Sequence, residues 1–150
     1  MRVYLDSCVI SRITDEPTSQ RVILETDASL QLFRLIRLGQ IAWVSGVALD
    51  FELLKNPDEA KRKDALELLA YATERLQGDR TTLSRARELQ GLGYGVFDGF
   101  HLASAEQGGA DTLLTTDDRF LRLANRNVGA PRVTLANPVE WLRRTDLWRR

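Results

Sequence analysis

Four short apolar runs dominate the sequence: VYL at 3–5, IAWVS at 41–45, TLLTT at 112–116 and RVTLA at 132–136. Each is too brief for a helix and rich in β-formers, so each reads as a strand. Between them the apolar residues recur at three and four. Leu24, Ala28, Leu32, Leu35, Ile36 and Leu38 form one such series, ended by Gly39. Val47 to Leu54 forms another, before Asn56 and Pro57 break it. Asn56-Pro57-Asp58-Glu59 carries a cap residue, a proline and a carboxylate in start order, which predicts a helix running to about Leu76. Further helices are predicted over about Leu83 to Leu89, Asp98 to Gln107, from Asp117 and Asp118 onward, and after Asn137-Pro138. Strands separated by helices imply a three-layer α/β/α fold around a central, mostly parallel sheet. At 150 residues the chain has the size of one compact domain, and residues 1–150 are expected to form one.

Two of the apolar runs stop at acids, the first at Asp6 and the third at Asp117. In open parallel sheets, sites gather beyond the carboxyl ends of the strands, and the two strands are candidates for neighbours. Glu52 lies in the apolar helical stretch VALDFELL behind the second strand, and Asp98 opens a helix after the loop GLGYG. Each acid also has an ordinary explanation. Asp98 and Asp117 suit helix caps, Asp6 a strand-end turn, and Glu52 the solvated side of an amphipathic helix. Together they suggest more, because clustered carboxylates repel and raise one another's pKa unless something positive compensates. For an all-oxygen set the usual compensator is Mg²⁺ or Mn²⁺, whose chemistry suits phosphodiester hydrolysis.

YLDSCVI, the glutamate of FELL, DGFHLASAEQGGADTLLTTDDRF and the terminal NPVEWL together resemble a PIN domain of the VapC-like toxin type. The resemblance spans nearly the whole chain. It is most specific from Asp98 to Phe120, where an aspartate heads a helix of small residues and an apolar strand then ends in Thr115-Thr116-Asp117-Asp118-Arg119-Phe120. It implies that Asp6, Glu52, Asp98 and Asp117 are a catalytic acidic quartet binding Mg²⁺ or Mn²⁺, with Ser7 and Thr115 as hydroxyl supports and Asp118 as an assisting acid or a helix-start charge. It further implies a ribonuclease that leaves a 5′-phosphate and a 3′-hydroxyl, a cognate antitoxin protein that blocks the site, and a homodimer. Cys8 stands where the family commonly has asparagine, and reads as a small buried hydrophobe. Asp50, close to Glu52, is a second acid on the same stretch.

Lys plus Arg and Asp plus Glu number 21 each, so RNA affinity has to come from a local patch. Arg80, Arg85 and Arg87 are the least diluted basic group; Lys55, Lys61, Arg62, Lys63 and Arg75 alternate with acids and read as solvated helix charge. His101, the single histidine, reads as structural or peripheral. The tail WLRRTDLWRR places Trp141 and Leu142 in a packed helix and leaves Trp148 as the exposed aromatic. Gly91, Gly93 and Gly95 lack the strand and lysine of a phosphate cradle and read as a loop. One cysteine excludes an internal disulfide, and no run approaches the roughly 20 apolar residues of a membrane span, so a cytoplasmic protein is expected. Two other functions fit the same pattern: a non-catalytic PIN-like module that binds RNA or protein, and a Mg²⁺ phosphatase. The phosphatase lacks the second aspartate two positions after the first, where Cys8 stands.

Overall fold

The structure is a computed structural model describing residues 1–149. Strand pleating sends alternate side chains to opposite faces, and β1 (Arg2–Leu5) divides its residues accordingly. Val3 and Leu5 enter one apolar core and Tyr4 the other. β4 (Thr112–Leu114) and β5 (Thr134–Ala136) repeat the division, with Leu114 and Ala136 on the first side and Leu113 and Leu135 on the second. With β2 (Ala42–Gly46) and β3 (Glu74–Leu76) they make a five-stranded sheet, ordered β3-β2-β1-β4-β5 and parallel at every pairing. The predicted three-layer α/β/α architecture is the one observed.

The first core is filled by α1 (Ser7–Thr14), α2 (Gln20–Arg37), α3 (Val47–Leu54), α4 (Glu59–Leu68) and α8 (Pro138–Arg144). Phe33 stands edge-on to Trp43 there, with ring centroids 5.3 Å apart. The second core lies under α5 (Arg80–Gly91), α6 (Val96–Gln107) and α7 (Asp118–Asn125), around Leu89, Leu102 and Phe120. Each fully buried side chain of this size contributes about 1.5–3 kcal/mol. Among the described residues no helix is long and apolar enough to cross a membrane.

Four sequence expectations are corrected. The helix expected to reach Leu76 ends at Leu68; a single 3-10 turn (Leu69–Tyr71) follows, and then β3, a fifth strand. β3 is a three-residue edge strand with mostly exposed side chains, so it carries no alternation to read. Asp58, rather than Asn56, caps α4, accepting from the Lys61 amide at 3.1 Å. α1 was missed, because Asp6 both ends β1 and caps the helix, leaving no spacer between them. Trp148 is half-buried against the first core rather than exposed, while Arg150 of the same tail lies outside the described residues.

Candidate active site

β1 and β4 are hydrogen-bonded neighbours, and the Asp6 amide continues their ladder to the Leu114 carbonyl at 3.0 Å. The chain leaves β1 toward β2 on one side, while β4 lies on the other. The strand order therefore reverses at this edge, where doubly wound sheets place their sites. Asp6 is 4% exposed. Its Oδ1 accepts from the Ser7 amide at 2.7 Å, and the Ser7 hydroxyl lies 3.4 Å away. Its Oδ2 accepts from the Thr115 hydroxyl at 2.7 Å. Thr115 Oγ1 also accepts from the Asp117 amide at 3.1 Å, so one hydroxyl ties both strand-end acids together.

Asp117 caps α7, accepting from the Arg119 and Phe120 amides through Oδ1. Asp98 does not cap α6; Gly95 does, and Asp98 occupies the first turn. A Cβ at Gly95 would stand 3.2 Å from Asp98 Oδ2, so the glycine leaves that carboxylate its room. Burial, followed by the charges of Asp6 and Asp117, pushes the Asp98 carboxyl up to about 7. Of the four acids expected from the sequence, Asp6, Asp117 and Glu52 all act on Asp98 through their charges.

Glu52 reaches the site from α3 through His101. His101 on α6 is fully buried, with Nε2 2.9 Å from Glu52 Oε1 and 3.5 Å from Asp6 Oδ1. Its Nδ1 lies 2.7 Å from the Tyr4 hydroxyl. Asp6, Glu52 and His101 each offer one metal-ligating atom within 4.8 Å of the others. Burial alone would push His101 down, but the Glu52 hydrogen bond and the charge of Asp6 outweigh it, and the net shift is upward. Glu52 moves the opposite way: burial would raise its carboxyl, and the bond from His101 brings it below its usual range. Of the two readings, structural or peripheral, His101 takes the first: it is buried and bonded between Tyr4 and Glu52. The signal for it was one histidine inside the small, apolar run GFHLASA, one helical turn after Asp98.

Cys8 is more than a hydrophobe. Its Sγ accepts from the Thr116 amide at 3.2 Å and lies 3.4 Å from both Asp6 Oδ2 and Thr115 Oγ1. Burial, then the charge of Asp6, pushes the thiol well up, so it stays protonated and can donate. Asp118 turns away to a two-pronged pairing with Arg21 at 2.8 and 2.9 Å. Asp50 is buried against Arg75 of β3. Arg85 departs from the RNA-contact expectation, since its guanidinium grips Glu106 and the Gly129 carbonyl, while Arg80 and Arg87 lie exposed on α5. Beside Glu52 opens a cleft of about 320 Å³ lined by Ser7, Ser11, Lys55 and Asn56.

A search of curated proteins gave no match. Among solved structures, the fold is similar to that of VapBC2 from Rickettsia felis bound to a DNA fragment from its promoter. The TM-score is 0.59 at 15% identity, covering 91% of this chain and 98% of that one. The family model of the PIN domain matches residues 3–126, which contain every acid of the converging set. With most of its length matched by that model and the same acids gathered at one sheet edge, this chain belongs to the PIN domain family.

Proposed function

We propose that the chain is a metal-dependent endoribonuclease, the toxin of a toxin–antitoxin pair, acting as one nuclease domain over residues 1–150 in the cytoplasm. The observation that carries this reading is the crowding of Asp98 by Asp6, Glu52 and Asp117 at the β1–β4 edge. A carboxyl that burial and neighbouring carboxylates raise to about 7 is short of positive charge, and an oxygen-rich set of this kind fits Mg²⁺ or Mn²⁺. When bound, such an ion supplies an activated water and neutralises charge on the phosphate oxygens.

The protein's part is to hold the acids in place. Thr115, Ser7 and Cys8 fix both oxygens of Asp6. The amides of α7 anchor one oxygen of Asp117, leaving Oδ2 outside these two bonds. Glu52 and Asp98 arrive on two different helices, α3 and α6. Exposed Arg80 and Arg87 are proposed as phosphate contacts for the RNA, weakened by salt as such contacts are. The likeness to a VapBC structure supports a protein partner; that this partner covers the site and that the chain works as a homodimer are proposed from the family resemblance.

The test is cleavage of a mixed pool of structured RNAs in Mg²⁺, in Mn²⁺ and in EDTA, with folded Asp6→Asn and Asp98→Asn variants alongside. Metal-dependent cuts with 5′-phosphate ends, absent from both variants, are the expected result. A folded, inhibitor-free protein that leaves every RNA intact sinks the nuclease reading and favours a binding module.

A further inference from the structure

The acidic quartet leaves one buried group without a role: the imidazole that touches two of its members. His101 and Tyr4 are both 0% exposed, and they form a line with Glu52 through the second core. Ser104, one turn along α6 from His101, lies beside the Tyr4 hydroxyl. This end of the line is sealed. A Cβ at Gly46 would lie 3.3 Å from Ser104 Cβ and 3.6 Å from the Tyr4 oxygen, and Gly46 is the N-cap of α3, the helix that carries Glu52.

Hydrogen-bond chemistry orders the protons. An ionised carboxylate only accepts, and Nε2 faces two carboxylates, Glu52 at 2.9 Å and Asp6 at 3.5 Å, so Nε2 bears a hydrogen. A neutral imidazole then has its lone pair on Nδ1, and the donor 2.7 Å away is the Tyr4 hydroxyl. A phenol is protonated at neutral pH, so Tyr4 has the proton to donate. Glu52 needs such an anchor more than its partners do. Asp6 and Asp117 are short side chains pinned by amides of their own helix starts, whereas Glu52 is a longer, half-buried side chain on a helix flank.

We propose that His101 is a positioning residue: its Nε2–H holds the Glu52 carboxylate toward Asp6, and Tyr4, donating to Nδ1 when the ring is neutral, fixes the tautomer that keeps this bond. The proposal rests on the metal-dependent reading above, since the geometry it preserves is that of the cation-binding acids. It makes His101 a partner of a ligand rather than a ligand.

Two measurements test it. His101 is the single histidine, so ¹⁵N spectra of the whole protein at mildly alkaline pH report its tautomer without assignment ambiguity. The expected pattern is a protonated Nε2 and an acceptor Nδ1, kept when Mg²⁺ is added. A protonated Nδ1 with a bare Nε2 that shifts on adding Mg²⁺ overturns the proposal in favour of imidazole ligation. The second measurement is Mn²⁺ affinity, by calorimetry and by electron paramagnetic resonance of the free ion, for wild type, Asp98→Asn, His101→Leu and His101→Gln. His101→Leu is expected to bind about 10- to 100-fold more weakly, with His101→Gln, whose amide N–H replaces Nε2–H, recovering most of the loss. Equal affinity in wild type and His101→Leu overturns the proposal, as does a glutamine variant no better than leucine. Should His101→Leu not fold, the spectra of the wild type decide alone. Failure of the underlying reading looks different: wild type and Asp98→Asn then take up Mn²⁺ equally poorly, and the positioning role falls with it.

Discussion

Thr115 illustrates how much one hydroxyl can organise. It donates to Asp6 at 2.7 Å and accepts from the Asp117 amide at 3.1 Å, fully buried between two strand ends. Thr115→Val keeps the shape and removes both bonds. RNA cleavage is expected to fall about 10- to 100-fold, and stability by about 1–3 kcal/mol through the unpaired Asp117 amide and the loosened carboxylate. Unchanged cleavage by a folded variant would show that Asp6 needs no support. Asp98 behaves in the opposite sense. Its carboxyl is raised to about 7, so its ionised form opposes folding at neutral pH. Asp98→Asn is therefore expected to melt at a higher temperature than wild type in EDTA at about pH 8, while losing Mn²⁺ binding and cleavage. A lower melting temperature would mean that Asp98 is structurally paired rather than crowded. Both residues stood out in the sequence, Asp98 as a helix-start acid and Thr115 in the run TLLTTD; the environment that gives each its effect did not.

At the scale of elements, legibility followed burial. β1, β2, β4 and β5 each have side chains in the cores, and all four were readable as apolar runs. β3 is an exposed edge whose only regular partner is β2, so nothing in Glu74-Arg75-Leu76 announces a strand. What holds that edge is packing by a residue with no side chain. Gly108 ends α6, and a Cβ there would meet Val44 Cγ1 at 2.5 Å and Leu76 Cδ1 at 2.8 Å. Gly108→Ala is expected to destabilise the fold by about 1–3 kcal/mol by prising α6 from β2 and β3. Thermal unfolding checks it; a variant within experimental error of wild type would show that the edge gives way freely. In the sequence Gly108 is simply the residue after the helix predicted over Asp98 to Gln107. α1 was hidden for a related reason, since Asp6 serves strand end, helix cap and site at once.

For the whole molecule, the site acts as a stored electrostatic cost. Below about pH 4 Asp98 is protonated in both folded and unfolded chains. Between about 4 and about 7 only the unfolded chain has released the proton, so stability falls as pH rises through this window. His101, also raised, acts with the same sign: its contribution is present below its unfolded value of about 6.5 and is lost as pH climbs through the folded one. Glu52, held low, has the opposite sign and contributes above its unfolded value of about 4.3, so its effect is complete before neutrality. In EDTA the melting temperature is thus expected to be higher at about pH 5.5 than at about pH 8. Mn²⁺ is expected to narrow the gap by stabilising the alkaline form; at 100 times its Kd the gain is about 2.7 kcal/mol, or roughly 5–10 °C for a chain of this size. A flat profile in EDTA, or no response to Mn²⁺, would contradict the crowded site.

The sequence by itself determined the alternation of strands and helices and the parallel sheet, and singled out four acids as candidates, because those follow from local periodicity and from residues placed beside apolar runs. Tertiary structure alone decided which groups share an environment. His101 and Tyr4 are 97 residues apart, Cys8 and Thr115 107, and Arg85 is committed to Glu106 rather than free for RNA. Such contacts depend on strand order and on how helices lie across the sheet. Burial then sets the energy of each contact, and no spacing along the chain encodes it.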